Sequence, residues 1–205
     1  DDAAVGRSII FSAATKPEQV QSINDYIASL VRAYPERFTG FGTLHPDFPA
    51  IVEVVLRLRD MYYPEAKVSV LSNATMIWKE EVREALKKVD NPILKIDASD
   101  DGLVGMINRP VGTYRLEKVL ADMEAFGGNF ILQTMFLKSP DFDTASSEAL
   151  SAWMDIVRRL RPREVMVYTI DRETPDKSLM KYTVEEMTAM MQPLIEEGFK
   201  IQIRG

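Results

Sequence analysis

Apolar and polar residues alternate along the chain with two different periods. Where every second residue is apolar, the pattern predicts a strand, as in residues 8–13, 38–43, 67–72, 93–97, 129–136, 164–170 and 200–203. Where apolar residues recur every three or four positions, the pattern predicts a helix, as in residues 17–33, 49–61, 79–89, 114–126, 147–160 and 184–197. This regular alternation predicts parallel strands joined by right-handed crossovers.

Local signals at the helix ends support this segmentation. Thr183 and Glu186 have the spacing of a capping box, in which two side chains satisfy the free N–H groups at a helix start. Gly127 and Gly198 follow predicted helices, where a left-handed cap favours glycine. Asp100 stands where an N-cap residue would, and we prefer that role to metal binding.

The strands also carry polar residues at alternate positions, which a sheet buried on both faces would not tolerate. These residues are Ser69, Asn73, Lys95, Asp97, Gln133, Thr169, Asp171, Gln202 and Arg204. We therefore predict an α/β fold in which one face packs on helices and the other faces a partly polar lumen. The expected architecture is a seven-stranded, mostly parallel, TIM-like barrel that is partial or irregularly closed, forming one domain over residues 1–205.

Two interpretations of the lumen remain open at this stage. The polar residues could form a salt-bridged interior, for example Lys95 with Asp97 or Asp171. Alternatively they could line a ligand cavity at the carboxyl ends of the strands, where βα barrels place their sites.

Composition excludes several classes of function. The net charge of −6 argues against nucleic acid as a partner, because phosphates attract a basic surface. No apolar run approaches the ~20 residues that a membrane-spanning helix needs, so we expect no membrane partner and a cytoplasmic location. The chain has no cysteine and one histidine, which excludes thiolate nucleophiles and thiolate metal sites.

Residues 43–205 resemble the barrel of a radical S-adenosylmethionine (SAM) protein. The resemblance rests on LSNATM, KVDNPILKIDA, INRP, FILQTMFL and EVMVYTIDRETP, which follow in that family's order. It implies an iron–sulfur cluster held by a CxxxCxxC motif and a GGEP-like turn for SAM. The chain lacks both, and FTGFG stands where the turn is expected. A cluster therefore cannot be held through cysteine, and we expect no cofactor beyond weak SAM binding.

The same resemblance implies a set of cofactor-binding residues at the strand ends. Ser72 and Asn73 correspond to positions near the SAM ribose or carboxylate, and the remaining candidates face the same mouth of the barrel. The candidates are Ser72, Asn73, Asp97, Gln133, Thr169 and Asp171. The alternative is that these residues are retained from the family but bind no ligand.

Residues 3–48 instead resemble one βαβ unit of the metal-dependent amidohydrolases. That resemblance implies a divalent metal bound by several histidines, whereas His45 is alone. We therefore expect no metal site and no catalytic residues. The two resemblances meet at TLHPD, residues 43–47.

These observations lead to two hypotheses. The first is an engineered chimera of an amidohydrolase-like segment (1–45) and a radical SAM-like segment (46–205), a non-catalytic scaffold with no native activity and not an enzyme. The alternative is a cluster-less radical SAM-like protein that binds SAM or another small anionic ligand in the polar lumen. In either case, unpaired edge strands at 8–13 and 200–203 predict a homodimer.

Overall fold

The computed structural model describes residues 47–108, 110, 113–170 and 176–205, and it describes residues 8–12 and 38–42 by their backbone. The predicted helix at 17–33, His45 and Asp171 lie outside the described residues.

Five strands form the main sheet, in the order β3-β4-β5-β7-β9. β7 is parallel to both of its neighbours, with Met135 of β5 opposite Tyr168 and Tyr168 opposite Arg204 of β9. The five strands are β3 (Ser69–Ser72), β4 (Asn91–Lys95), β5 (Ile131–Met135), β7 (Glu164–Tyr168) and β9 (Ile201–Arg204).

Two further sheets have two strands each. β1 (Ser8–Ser12) is parallel to β2 (Phe38–Gly42). β6 (Leu137–Lys138) is antiparallel to β8 (Met180–Lys181). The predicted strands are thus confirmed within a few residues, but their union in one seven-stranded barrel is not. Alternation identifies a strand without identifying its partner, and β1 and β2 pair with each other outside the main sheet.

Six helices connect the strands within the described residues. They are α1 (Phe48–Tyr62), α2 (Glu80–Lys88), α3 (Asp101–Ile107), α4 (Leu116–Glu124), α5 (Ser147–Leu160) and α6 (Val184–Glu196). The capping box at the start of α6 is confirmed, as is Asp100 as the N-cap of α3. Gly127 and Gly198 have φ angles of 56° and 89°, as left-handed caps require. None of the described helices is long and apolar enough to cross a membrane.

The chain divides into two compact units, residues 1–93 and 94–205, with the boundary inside β4. In the first unit, Asp90 ties α1 to β3, because it accepts hydrogen bonds from Arg59 (2.6 Å) and from Val68 N (2.9 Å). Burial alone would raise the pKa of Asp90, but the bonds from Val68, Arg59 and Lys67 outweigh it and lower that pKa. The prediction of one domain over the whole chain stays a prediction.

In the second unit, the helix-packed face of the sheet contains one buried polar link. The Thr134 hydroxyl donates to the Ile96 carbonyl (2.7 Å) and accepts from Trp153 Nε1 (3.0 Å). Trp153 also packs edge-on against Phe136, with ring centroids 5.1 Å apart. Thr134 thus joins β5, the end of β4 and α5 through one fully buried oxygen.

This link leads to a stability prediction. Thr134→Val keeps the side-chain volume but leaves Trp153 Nε1 buried without its acceptor, which costs about 1–3 kcal/mol of unfolding free energy. Thr134→Ser, the matched control, keeps the oxygen and loses one methyl group, at about 0.8 kcal/mol. Urea unfolding compares the two variants. A valine variant at least as stable as the serine variant would contradict the role of the hydroxyl.

Candidate functional site

The second face of the sheet in residues 94–205 carries the half-buried polar residues. Gln133 of β5 lies opposite Met166 of β7, which lies opposite Gln202 of β9. One step towards the carboxyl ends, Met135, Tyr168 and Arg204 form the next row. We call this surface the polar face; alternation also places Lys95, Asp97 and Glu164 on it.

The amino-terminal end of the polar face is closed by its own contacts. The buried carboxylate of Glu164 lies 2.7 Å from Lys200 Nζ and accepts a hydrogen bond from the amide of Gln202. Both carboxylate oxygens are therefore engaged within the protein, and this end of the polar face is structural.

Lys95 and Asp97 form an ion pair towards the carboxyl end. Lys95 Nζ is 3.1 Å from Asp97 Oδ2, and it lies 5.6 Å from the centre of the Tyr168 ring. The Lys95 side chain is 24% exposed and that of Asp97 only 2%. The carboxylate is thus removed from water, while the Lys95 side chain remains partly exposed.

Two more donors hold the Asp97 carboxylate. Oδ1 accepts from Met135 N at 3.0 Å, and Oδ2 accepts from Asn108 Nδ2 at 3.1 Å. Asn108 is the C-cap residue of α3, so the carboxylate joins the end of β4, the end of β5 and α3. A buried carboxylate needs such compensation, because an unpaired buried charge is strongly destabilising.

The charges of the site follow from these contacts. Burial alone would lower the pKa of Lys95, but Asp97 and Tyr168 outweigh burial and raise it above 10.5. Burial raises the pKa of Tyr168, although Lys95 opposes that shift. Burial, with Asp101 and Asp97 nearby, raises the pKa of Tyr114 to about 12. At neutral pH the site therefore presents an ammonium group and two neutral phenols.

Gln133 is the residue on the polar face with unused hydrogen-bonding capacity. Its Oε1 atom is buried and finds no hydrogen-bond partner among the described residues; the other such buried side-chain atom is Arg83 Nε. The Gln133 carbonyl accepts from Ile96 N at 3.0 Å, which places β5 beside the segment that carries Lys95 and Asp97.

Thr169, by contrast, has its hydroxyl engaged within the fold. Its Oγ1 donates to the Phe136 carbonyl (3.2 Å) and accepts from Tyr182 N (3.0 Å). The Tyr182 phenol in turn donates to Asp143, and Lys138 Nζ lies 4.4 Å above the Tyr182 ring. Thr169 therefore anchors the β6–β8 pair at the carboxyl ends of β5 and β7.

The sequence candidates are divided between the two units. Asp97, just after β4, and Gln133 of β5 lie in the second unit, whereas Ser72 and Asn73 belong to the first. Ser72 Oγ accepts from Ala74 N (3.1 Å), and Asn73 Oδ1 accepts from the hydroxyl of Thr75 (2.8 Å). Asp171 lies outside the described residues, so its role stays a prediction.

Three residues of the site were missed by the sequence argument. Tyr168 continues the alternation of β7 and could have been found from that pattern. Asn108 and Tyr114 lie in irregular segments and reach Asp97 only through the fold, so the alternation of polar residues does not identify them, although Asn108 belongs to the INRP segment. Among the described residues, no group of three or more histidine, cysteine, aspartate or glutamate side chains could hold a metal ion.

Comparison with known sequences finds natural relatives, although no family model matches the chain. A UPF0026 protein of Methanocaldococcus jannaschii is 28% identical over 138 residues, which are 65% of this chain and 41% of that protein. A UPF0026 protein of Synechocystis is 29% identical over 116 residues, which are 55% and 41% of the two chains. A protein of Brachyspira hyodysenteriae named GTPase Obg is 24% identical over 156 residues, 73% of this chain and 22% of that protein.

The chain spans about two fifths of the length of the UPF0026 proteins that it matches, 41% in both cases. Solved structures share its fold, and two of them are compared with the chain. A domain of pyruvate-formate lyase-activating enzyme from Bacteroides vulgatus superposes with a TM-score of 0.56 and 12% identity, over 79% of this chain and 96% of that one. Streptococcus suis SuiB, bound to precursor peptide SuiA, superposes with a TM-score of 0.60 and 16% identity, over 89% of this chain and 42% of that one.

These comparisons correct the first hypothesis. Natural sequences match the chain, and its structural neighbours are radical SAM enzymes, so the interpretation as an engineered, non-catalytic scaffold is wrong. The expectation that the chain is not an enzyme falls with it. Neither the chimeric origin nor the amidohydrolase resemblance of the amino-terminal segment is supported. The fold is α/β and radical SAM-like, with a mostly parallel sheet.

The ion pair leads to a prediction about charge. In Asp97→Asn, burial is no longer opposed by a carboxylate, so the pKa of Lys95 falls below its ordinary 10.5. In the native protein the raised pKa contributes stability below pH 10.5 that is lost as pH rises through the folded-state pKa.

Side-chain NMR titration of Lys95 measures this shift, and unfolding experiments in the alkaline range measure its consequence. Asp155→Asn is the matched control, because Asp155 is exposed and pairs with Arg158. The same Lys95 pKa in native protein and in Asp97→Asn would contradict the electrostatic role of Asp97.

Proposed function

We propose that the polar face binds SAM or another small anionic ligand at the carboxyl ends of β4, β5 and β7. One observation carries this proposal: on neighbouring strands, the partly exposed Lys95 and Gln133 lie on the same face, and the buried Oε1 of Gln133 has no partner among the described residues. On a face that served only for packing, a buried polar atom would have a hydrogen-bond partner within the protein or would be replaced by an apolar one.

The architecture supports this location. In parallel α/β folds, ligands bind outside the carboxyl ends of the strands, where the loops leave the sheet. Lys95 is the last residue of β4, and Tyr168 is the last residue of β7. The opposite end of the face is closed by Glu164 and Lys200. We therefore place an entering ligand at the carboxyl end, where Lys95 is partly exposed.

The radical SAM-like fold supports SAM as the ligand class, but the cluster of that family does not fit this chain. Such a cluster needs cysteine thiolates, and the chain contains no cysteine. The chemistry of the longer proteins that the chain resembles is a separate question from the binding proposed for this polar face.

The proposal gives each described candidate a distinct task. Lys95 holds the negative group of the ligand, and Gln133 accepts a hydrogen bond from it. Asp97 acts through Lys95, because its carboxylate is enclosed by donors of the protein. Thr169 positions the β6–β8 pair beside the site. Ser72, Asn73 and Asp171 remain candidates from the family resemblance.

Partners remain predictions as well. The net charge of −6 still argues against nucleic acid. β9 is an outer strand of the main sheet. An outer strand has unpaired backbone groups that a second copy could pair, so we propose a homodimer through this edge.

Thermal unfolding with and without S-adenosylhomocysteine tests the proposal. A ligand at 100 times its dissociation constant stabilises by about 2.7 kcal/mol, which raises the Tm of a chain of this size by roughly 5–10 °C. Lys95→Gln, which keeps a donor for Asp97 but loses the charge, should remove most of this shift.

Lys118→Gln is the matched control, because Lys118 is exposed on α4 and away from the polar face. It should leave the shift intact. An unchanged Tm at excess ligand, or an equal shift in Lys95→Gln, would sink the proposal.

A further inference from the structure

Helix α1 exposes a row of large apolar side chains. It buries Phe48, Val52 and Val55, but four further apolar residues are between 46% and 64% exposed. These residues are Val54, Leu58, Met61 and Tyr62. Positions i, i+4, i+7 and i+8 share one side of a helix, so the four side chains form one surface, which we call the α1 stripe. A contiguous exposed apolar patch marks a surface where another molecule binds.

The charged residues beside the α1 stripe carry both signs. Arg57 is exposed, and it has no ion pair among the residues that the structure describes. The Asp60 side chain is 67% exposed, and its Oδ1 atom accepts from Arg59 Nε at 2.6 Å. Glu53 is exposed and lies 2.9 Å from Lys88 Nζ. Two carboxylates beside one arginine do not suit an anionic lipid surface, which binds a basic polar face. A partner with the same mixed charges suits this edge better.

The α1 stripe is symmetric about Leu58. Val54 lies four residues before Leu58 and Tyr62 lies four residues after it, which is about 6 Å along the helix on either side. In an antiparallel pair of α1 helices with a two-fold axis at Leu58, Val54 of each copy therefore lies opposite Tyr62 of the other. Arg57 lies about 1.5 Å before the axis and Asp60 about 3 Å after it. Arg57 of each copy is then within reach of Asp60 of the other.

We propose that the α1 stripe binds a second copy of this chain, with two α1 helices packed antiparallel across a two-fold axis at Leu58. The four apolar side chains supply the buried contact, and the pair of Arg57 and Asp60 sets the register, because charged pairs at an edge give specificity more than affinity. This surface is separate from the β9 edge. A chain that used both surfaces would assemble beyond the dimer, so loss of the α1 contact halves the assembly in either case.

Light scattering over a wide range of protein concentrations tests the contact. Leu58→Glu removes the central apolar contact of both copies and sets two carboxylates against each other at the axis. It should halve the mass of the native assembly and raise the dissociation constant at least about a hundredfold, because the change enters once from each copy. Ile195→Glu is the matched control, because Ile195 is an apolar residue of α6 that is 40% exposed and lies off the stripe. It should leave the mass unchanged.

A mixing experiment separates loss of the contact from loss of the fold. Residue 58 lies at the axis and therefore faces its own counterpart in the second copy. Leu58→Glu and Leu58→Lys should each be monomeric at the α1 contact, but an equal mixture of the two should recover the native mass, since opposite charges then face each other. A mixture that stays at half the native mass, although both variants keep the native circular dichroism spectrum, would contradict the two-fold axis at Leu58.

The absence of cysteine from the chain permits a test of the register. A disulfide requires Cα atoms about 4.4–6.8 Å apart, and at a two-fold axis a residue meets this condition with its own counterpart. Leu58→Cys should therefore form a covalent dimer under mild oxidation, and this variant changes the stripe little. Ile195→Cys, the control, should remain uncrosslinked under the same conditions.

Three further outcomes would overturn the proposal. The first is a native protein that stays monomeric at all concentrations. The second is a Leu58→Glu variant with the mass of the native assembly, because the copies would then meet elsewhere, for example at β9. The third is a native protein that binds phosphatidylserine vesicles while Leu58→Glu does not, which would assign the stripe to a lipid surface. The ligand proposal for the polar face is independent of all three.

Discussion

The enclosure of the Asp97 carboxylate is the constraint on which the second unit of the chain depends. This carboxylate is buried, and its charge is compensated by Met135 N, Asn108 Nδ2 and Lys95 Nζ at 3.0–3.1 Å. Each donor belongs to a different part of the fold, so a single charge fixes the ends of β4 and β5 and the end of α3. Breaking such a buried arrangement is costly, because the remaining partners keep their desolvation penalty.

The same carboxylate determines what the polar face can do. By raising the pKa of Lys95, it favours the charged ammonium group, whereas burial alone would lower that pKa. Three other polar groups of the sheet are matched within the protein: Thr134 on the buried face, Glu164 at the amino-terminal end and Thr169 after β7. Among the described residues, Gln133 Oε1 is a buried atom without a hydrogen-bond partner, and Gln133 lies on the strand next to Lys95. One unsatisfied acceptor within an otherwise satisfied scaffold is the kind of exception expected at a functional site.

Sequence reasoning recovered the local elements and missed their assembly. Alternation predicted β7 and β9 within two residues at each end, and the spacing of Thr183 and Glu186 predicted the start of α6. It could not predict that β1 pairs with β2 in a separate sheet, because strand partners depend on non-local contacts. The INRP segment contains Asn108, but its contact with Asp97 could not be predicted, since it spans eleven residues and irregular backbone. The chimera hypothesis failed for another reason: the absence of cysteine does not imply an engineered origin, and natural proteins match the chain over part of their length.

Side-chain NMR of Lys95 and Gln133 during titration with S-adenosylhomocysteine tests the central claim most directly. The Lys95 ammonium resonance and the Gln133 carboxamide resonances report the two proposed contacts separately. We predict that the chemical shifts of Lys95 and Gln133 change together and reach saturation at the same ligand concentration. The chemical shifts of Lys200 and Gln202, at the closed end, should not change. Saturable binding that leaves Lys95 and Gln133 unperturbed would place the ligand elsewhere and contradict the account.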